Sequence, residues 1–427
     1  MVAALAWAVT TAAPARAGIC GDADDNGSIT VTDGVIVLRA AAGLGACDLV
    51  RCDVDGSGAI TVTDGVNVLR AAAGLGDPTG CNTDPLAPRR AFLADLASAG
   101  ALASYRALAA DAADLETAIE DVVTAPGAER LAIAQEAWRT TRRAWKRTEA
   151  FRLGPSEDQR TSERIDWPNA DPAGIDAQIA GPNALSSDYL DTLGAPKVGF
   201  QAIEYFIFDP VGGDAGAVNA LLGNDNARRR AYLLALAVNV GVHTAELRDA
   251  WEPAGGNFGA DFVSSGTGGS AFPTLQDAFD AVVNRMIATA EVVQDDRLGA
   301  PLGVNGGGPR LELVESPRSG DTLAGIAADI QGIADVYRGT YVGGQVNGLG
   351  ALVVAVSPDV DAEVRQLLDE ARDAVAAVPS PLAGAILNDR DAALAAYDAV
   401  QALRRALEAD VARVLGVTLG INAAAGG

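Results

Sequence analysis

The chain has 427 residues, enough for two or three domains and a large apolar interior. Hydrophobic residues make up 49% and charged residues 21%, the proportions of an ordinary globular protein. A net charge of −24 argues against nucleic acid and anionic membranes as partners, and suits calcium, other cations and basic proteins.

Val2 to Ala13 is an apolar run too short to anchor the chain across a bilayer, and Pro14-Ala15-Arg16-Ala17 supplies an A-x-A cleavage pattern. Residues 1–17 therefore read as a secretory signal, and the rest as exported to a periplasm or cell surface. The missing positive charge near Met1 leaves a buried N-terminal helix as the competing reading. All four cysteines come early, at Cys20, Cys47, Cys52 and Cys81. An even set in a short exported segment suggests two disulfides, in any of three pairings, with free thiols as the alternative.

The same segment, residues 18–84 with its linker, contains a repeat at an offset of 31 residues. Loop positions 1, 3, 5 and 12 are Asp22, Asp24, Asn26 and Asp33 in the first copy, and Asp53, Asp55, Ser57 and Asp64 in the second. Position 6 is glycine (Gly27, Gly58), where the chain must turn sharply. Position 7 (Ser28, Ala59) supplies a backbone carbonyl. Position 8 (Ile29, Ile60) is placed to pair the loops through a short strand contact. These are the oxygen ligands of calcium, so two Ca2+ sites are expected, against metal-free Asx-rich turns. Asp stands at position 12 where an EF-hand usually has Glu, and no entering helix precedes the loop. In this the segment resembles dockerin type I modules over about residues 20–80. The resemblance implies docking to a cohesin-like or cell-surface partner through Val31, Thr32, Arg39, Val62, Thr63 and Arg70.

From Pro88 the pattern turns helical. Ala91 to Val123 is followed by Ala128 to Arg152, where Trp138 and Trp145 lie seven apart on one face. Arg139, Arg142, Arg143, Lys146 and Arg147 line the rest of that helix. A solvated basic face accounts for most of them, with one or two turning inward. Gly154 to Pro196 is a long irregular loop holding Asp166. Asn226 to Trp251 is a long helix with the only histidine, His243, three residues before Glu246; two ligands alone are too few for a metal. Glu252 to Pro273 is glycine-rich and reads as a hinge between one helical half, residues 85–255, and another, residues 270–427. Helices at Thr274–Asp295, Thr322–Tyr337, Pro358–Ala377 and Pro381–Leu415 complete the second half, with Ser319 or Asp321 as the cap at Thr322.

The stretch from Lys197 to Phe208 is nearly all apolar, started by Pro196 and stopped by Asp209-Pro210. A helix apolar all round belongs in an interior, yet Gln201 and Glu204 share one face of it. A buried carboxylate is costly unless a cation, a metal or several donors meet it. A ligand or metal site and a structural Glu–Arg pair both satisfy that demand. Arg318, just before a helix start, is placed to hold a carboxylate, with a surface arginine as the alternative.

Gly199-Phe200-Gln201-Ala202-Ile203-Glu204-Tyr205 is similar to the G-x-H-x-x-E helix of the imelysin-like family, peptidase family M75. Gly154-Pro155-Ser156 with Arg164 to Pro168, Glu315 to Gly320, and the tail Leu415 to Asn422 also resemble that family, in the same order. The resemblance covers about residues 88–427. It implies an all-α fold of two related four-helix bundles with a site in the crevice between them, export, and a link to iron or other metal uptake. The site residues expected in that crevice are Gln201, Glu204, Asp166, Ser316 and Arg318, with Glu204 as ligand or pair partner, Ser316 as hydrogen-bond donor and Arg318 as counter-charge or anion clamp. The family histidine is Gln201 here, and an amide is a poor transition-metal ligand and no general base. No H-E-x-x-H helix is present. A metal or small polar ligand in the crevice is thus expected; an M75-type peptidase and an inert displayed scaffold are the alternatives.

Overall fold

The computed structural model describes residues 19–57, 59–76, 80–81, 86–155, 161–267 and 269–420. The expected signal segment, Gly58, most of the linker and Ser156 lie outside the described residues. Apart from a two-residue antiparallel hairpin, Thr340–Tyr341 with Gly344–Gln345, the described secondary structure is helical. The chain divides into two compact units, Met1–Ala91 and Phe92–Gly427.

The first unit holds α1 (Val31–Ala41), the single turn α2 (Leu49–Cys52) and α3 (Val62–Ala72). Thr30 with Asp33, and Thr61 with Asp64, form capping boxes that start α1 and α3. The repeat makes the α1–α3 contact reciprocal. A Cβ on Gly34 would lie 2.5 Å from the Leu69 side chain, and one on Gly65 would lie 2.5 Å from Leu38. Only glycine lets the two helices cross this closely. The core is small: buried Val37, Cys52, Val54 and Val68, flanked by Ile29 and Ile60. Among the described residues no strand contact joins Ile29 to Ile60; their side chains pack on that core instead. A core this size needs covalent or metal staples. Disulfides Cys20–Cys81 and Cys47–Cys52 supply two, and they select one of the three pairings open to the sequence.

In the second unit α4 (Ala103–Thr124), α5 (Ala128–Thr148), α6 (Gly199–Ile207) and α7 (Ala227–Trp251) pack together, α4 between α5 and α7. The second bundle is α8 (Leu275–Val292), α9 (Thr322–Arg338), α10 (Pro358–Ala377) and α11 (Arg390–Arg405). α9 lies against α5 and joins the bundles. Gly325 and Gly332, two turns apart on α9, face the Arg142 side chain and the Arg147 carbonyl of α5, so a side chain at either position would collide with α5. Trp138 and Trp145 are fully buried, and the Trp138 indole donates to the Phe200 carbonyl at 2.9 Å, fastening α5 to α6.

The segment 252–273 is packed as well as connecting: Phe258, Phe262 and Phe272 cluster with Trp251. α8 passes at Val292 into a π turn, Val293–Gly299, which carries Arg297. No helix among the described residues is long and apolar enough to cross a membrane.

Candidate functional site

The inward stripe of α5 runs Trp138, Arg142, Trp145, Glu149, at alternating steps of four and three, with Lys146 beside it. Burying the tryptophans therefore buries the charges. Arg142 and Lys146 are 0% and 1% exposed, and are the two of the five basic residues that turn inward. Arg143 and Arg147 are also paired, with Asp321 and Asp335 of the second bundle. Arg139 reaches Glu136 at 3.5 Å and lies over the Phe208 ring.

Arg142 and Lys146 meet carboxylates brought from three segments. Lys146 Nζ lies 2.7 Å from Asp166, 2.8 Å from Glu315 and 3.4 Å from Glu149. Arg142 lies 3.1 Å from Glu315 and 3.7 Å from Asp166. Arg297 reaches Glu149 at 2.7 Å, Glu315 at 3.5 Å and also Asp329. Burial works against ionised Glu315, but Lys146, Arg142 and Arg297 outweigh it and hold the carboxyl at about 2. Glu149 is likewise held well below the ordinary range: Arg297, Lys146 and Arg152 overcome its burial. Asp329 goes the other way. Burial, opposed by Arg297 and aided by Glu149, pushes it up to about 7.

α6 adjoins this network. It begins at Gly199, whereas Pro196 belongs to a separate turn, Ala195–Lys197. Gly199 has φ +73°, and a Cβ there would lie 2.5 Å from the Arg164 carbonyl. That close approach brings the backbone before Asp166 onto the start of α6. Gln201 Nε2 then donates to Asp166 Oδ1 at 3.2 Å and to Ser316 Oγ at 2.9 Å. Ser316 is fully buried and held at φ +50°, a left-handed conformation that a non-glycine residue adopts at a cost.

Glu204 is 2% exposed. Its Oε1 accepts from both the Ser319 amide, at 2.8 Å, and the Ser319 hydroxyl, at 2.7 Å. Burial raises its pKa above the usual carboxylate value, while these bonds and the charges of Arg142 and Arg318 oppose the rise. Arg318 makes no ion pair among the described residues, contrary to the carboxylate partner expected from its position. It donates to the Phe208 carbonyl at 3.4 Å and lies over the Tyr205 ring, 4.8 Å from its centroid. Nor does Ser319 or Asp321 cap α9 with its side chain: Ser319 is turned to Glu204 and Asp321 to Arg143.

Gln201 therefore bridges Asp166 and Ser316, and Glu204 sits one turn along with Ser319. Sequence reasoning missed Ser319, Glu149, Arg297, Glu315 and Asp329. Glu149 carried a readable signal in its place on the tryptophan stripe, and Glu315 and Ser319 in theirs within the Glu315–Gly320 stretch that resembles the family. His243 is elsewhere: Nδ1 faces Glu246 and Nε2 faces Asp191, each at 2.9 Å. With the carboxylates on opposite nitrogens, the three groups cannot share one metal ion.

In the first unit Asp22, Asp24 and Asp33 bring carboxylate oxygens within 4.8 Å of one another, as do Asp53, Asp55 and Asp64. Asp33 Oδ2 accepts from the Thr30 amide and hydroxyl, both at 2.8 Å, and Oδ1 from the Ala23 amide at 2.8 Å. Asp22 accepts from the Asn26 and Gly27 amides. In the second loop Asp53 accepts from the Ser57 amide and Asp64 from Thr61 and the Asp55 amide. Burial works against ionised Asp33, but its bonds from Thr30, Asp24 and Ala23 keep its pKa below the ordinary value. Asn26 turns its side-chain oxygen to the Ser28 amide at 3.0 Å, and the Ser57 hydroxyl donates to the Ala59 carbonyl at 3.2 Å.

The second unit is thus an all-α protein of two bundles with a polar, charged site where they meet. The chain belongs to the imelysin family, peptidase family M75, whose family model matches residues 101–409. It is 28% identical over 314 residues to iron-regulated protein A of Synechococcus elongatus, a match covering 72% of this chain and 82% of that protein. Its fold is similar to the crystal structure described as an iron-regulated protein A precursor from Parabacteroides distasonis, with TM-score 0.65 and 20% identity over 75% of this chain and 93% of that one. An imelysin-like protein from Psychrobacter arcticum gives TM-score 0.62 and 17% identity over 78% and 97% of the two chains.

Proposed function

We propose that this is an exported protein of iron or other metal acquisition, whose helical unit takes a metal ion or small polar ligand in the crevice around Gln201 and Glu204. One observation carries the reading. An amide, two carboxyl groups and two serine hydroxyls, from residues 166, 201–204 and 316–319, converge in an interior that packing alone would fill with apolar side chains. The iron-regulated relative supports the metal link, and two disulfides fit an oxidising, extracytoplasmic compartment. Glu204 and Gln201 contact the ligand, Ser316 donates to it or to Gln201, Asp166 orients Gln201, and Arg318 supplies charge from the half-exposed side.

The two loops of the first unit hold calcium in this reading. Asp22, Asp24, Asn26 and Asp33, with the Ser28 carbonyl, form one all-oxygen set; Asp53, Asp55, Ser57 and Asp64, with the Ala59 carbonyl, form the other. The donor set fits a hard cation, since each loop gathers three carboxylates. Val31 and Val62, both 61% exposed at equivalent positions, suit docking to a cohesin-like or cell-surface partner. Residues 1–17 serve as the signal, 18–84 as the docking module, and 85–255 and 270–427 as the bundles.

The test is isothermal titration of the calcium-loaded chain with metals and small carboxylates, in parallel with Glu204→Ala. A saturable isotherm lost in the variant is expected; identical isotherms contradict a site at Glu204. Casein cleavage abolished by Glu204→Gln would instead support the peptidase activity carried by the family's name. That activity needs an activated water or a nucleophile–base pair, and Gln201 cannot act as the base.

A further inference from the structure

Resting on the crevice reading above, we propose that the ligand is an anion, a carboxylate-bearing molecule either free or already chelating a metal, recognised by Arg142 and Arg318. Arg142 is fully buried, yet none of its Nε, Nη1 or Nη2 groups makes a hydrogen bond. Its charge is answered at 3.1 Å by Glu315 and at 3.7 Å by Asp166, but its N–H fork is aligned on neither. Unused donors in a dry interior are costly and rare. The group that fits a guanidinium fork is a planar carboxylate taken through two parallel bonds. Gly325 packs directly against the fork: a Cβ there would lie 2.8 Å from Nη1. Arg318, half-buried beside Ser319, makes one long bond to a carbonyl and no ion pair among the described residues. Arg142 thus has charge partners but no aligned hydrogen bond, and Arg318 has one long bond.

A bare cation finds the opposite. Glu204 Oε1 already accepts both Ser319 donors. The Gln201 amide is spent on Asp166 and Ser316, and its Oε1 accepts from Ser316 at 3.3 Å. Asp166, Glu149, Glu315 and Asp329 each contact Lys146, Arg142 or Arg297. Zinc or iron binding asks for several imidazole, thiolate or free carboxylate ligands, and the crevice holds neither histidine nor cysteine. A cation entering it would meet carboxyl groups already faced by the chain's own cations or donors.

The experiment titrates the full-length, calcium-loaded protein with citrate, with ferric citrate, and with Zn2+ or Fe2+ alone. Citrate, bare or as the ferric chelate, is expected to bind at one site per chain. Binding of both forms identifies an organic anion as the ligand, and binding of the ferric form alone identifies a metal chelate; either supports the proposal. Arg318→Ala should weaken binding about tenfold or more, the size of one charge-assisted bond. Arg142→Lys keeps the buried charge but loses the fork, and should weaken binding further, with unchanged calcium content and circular dichroism reporting an intact fold. Unchanged citrate affinity in both arginine variants overturns the proposal. Saturation by Zn2+ or Fe2+ alone, abolished by Glu204→Ala while citrate stays inert, overturns it and leaves the crevice reading standing. If no probe binds, both fall.

Discussion

The two units each bury acidic side chains, and they answer them differently. In the first repeat loop, Asp22, Asp24 and Asp33 converge within 4.8 Å, and their partners are backbone amides and the Thr30 hydroxyl. No guanidinium or ammonium makes an ion pair with them among the described residues. In the crevice of the helical unit, Glu149, Asp166, Glu315 and Asp329 are threaded among Arg142, Lys146 and Arg297. The same residue types are thus left short of a cation in one place and supplied with three in the other. A cluster of acids invites a metal only when the chain has not already brought its own positive charge.

Breaking the internal supply should have the largest effect. Arg142→Ala leaves Glu315 and Asp166 short of a buried partner, and the helical unit should lose about 3–5 kcal/mol in urea unfolding. A loss below about 1 kcal/mol would mean that the network is not closed as described. Removing the external supply should come next. EDTA should lower the melting transition of the first unit and leave that of the helical unit in place. The shift corresponds to about 3 kcal/mol per site where free calcium had stood a hundredfold above its Kd. Gly199→Ala sharpens the comparison from the backbone side. Its positive φ alone makes alanine cost about 1–3 kcal/mol, and moving the segment 164–166 should weaken crevice binding as well.

A pH dependence tests the comparison from the side of the titrating groups. Asp329 is pushed from 3.8 to about 7, so the folded protein keeps a proton that the unfolded chain releases. Its contribution is complete below about pH 3.8 and is lost as pH rises to about 7. The stability gap between wild type and Asp329→Asn should therefore narrow from pH 4 to pH 7 and then level off. Glu315, held at about 2 from 4.5, behaves oppositely: its contribution is present above pH 4.5 and fades as pH falls toward 2. Urea midpoints across that range check both signs.

The helical fold and the repeat are legible because each rests on periodicity: apolar stripes at three and four in the bundles, and a 31-residue offset in the first unit. The fate of Arg142 was there to be read, since the spacing that buries Trp138 and Trp145 also turns Arg142 and Glu149 inward. Treating each charge singly, by its own desolvation cost, hides this; a set of charges can be buried together when they neutralise one another. Their partners were not legible. Glu315, Arg297 and Asp329 come from distant segments, and nothing in their local sequence names α5 as their destination. Arg318 shows a different limit. Its place before a helix start points it at a carboxylate, but Ser319 next door supplies Glu204 with two donors without burying a second charge. The disulfide pairing was open in the sequence because cysteine spacing alone does not choose among three connectivities.

Metal content after dialysis tests the contrast between the units most directly. The chain, incubated with calcium, zinc and ferrous iron and then dialysed, should retain two calcium ions lost in Asp33→Ala and Asp64→Ala, and no stoichiometric zinc or iron. One transition-metal ion per chain, removed by Glu204→Ala, would contradict it.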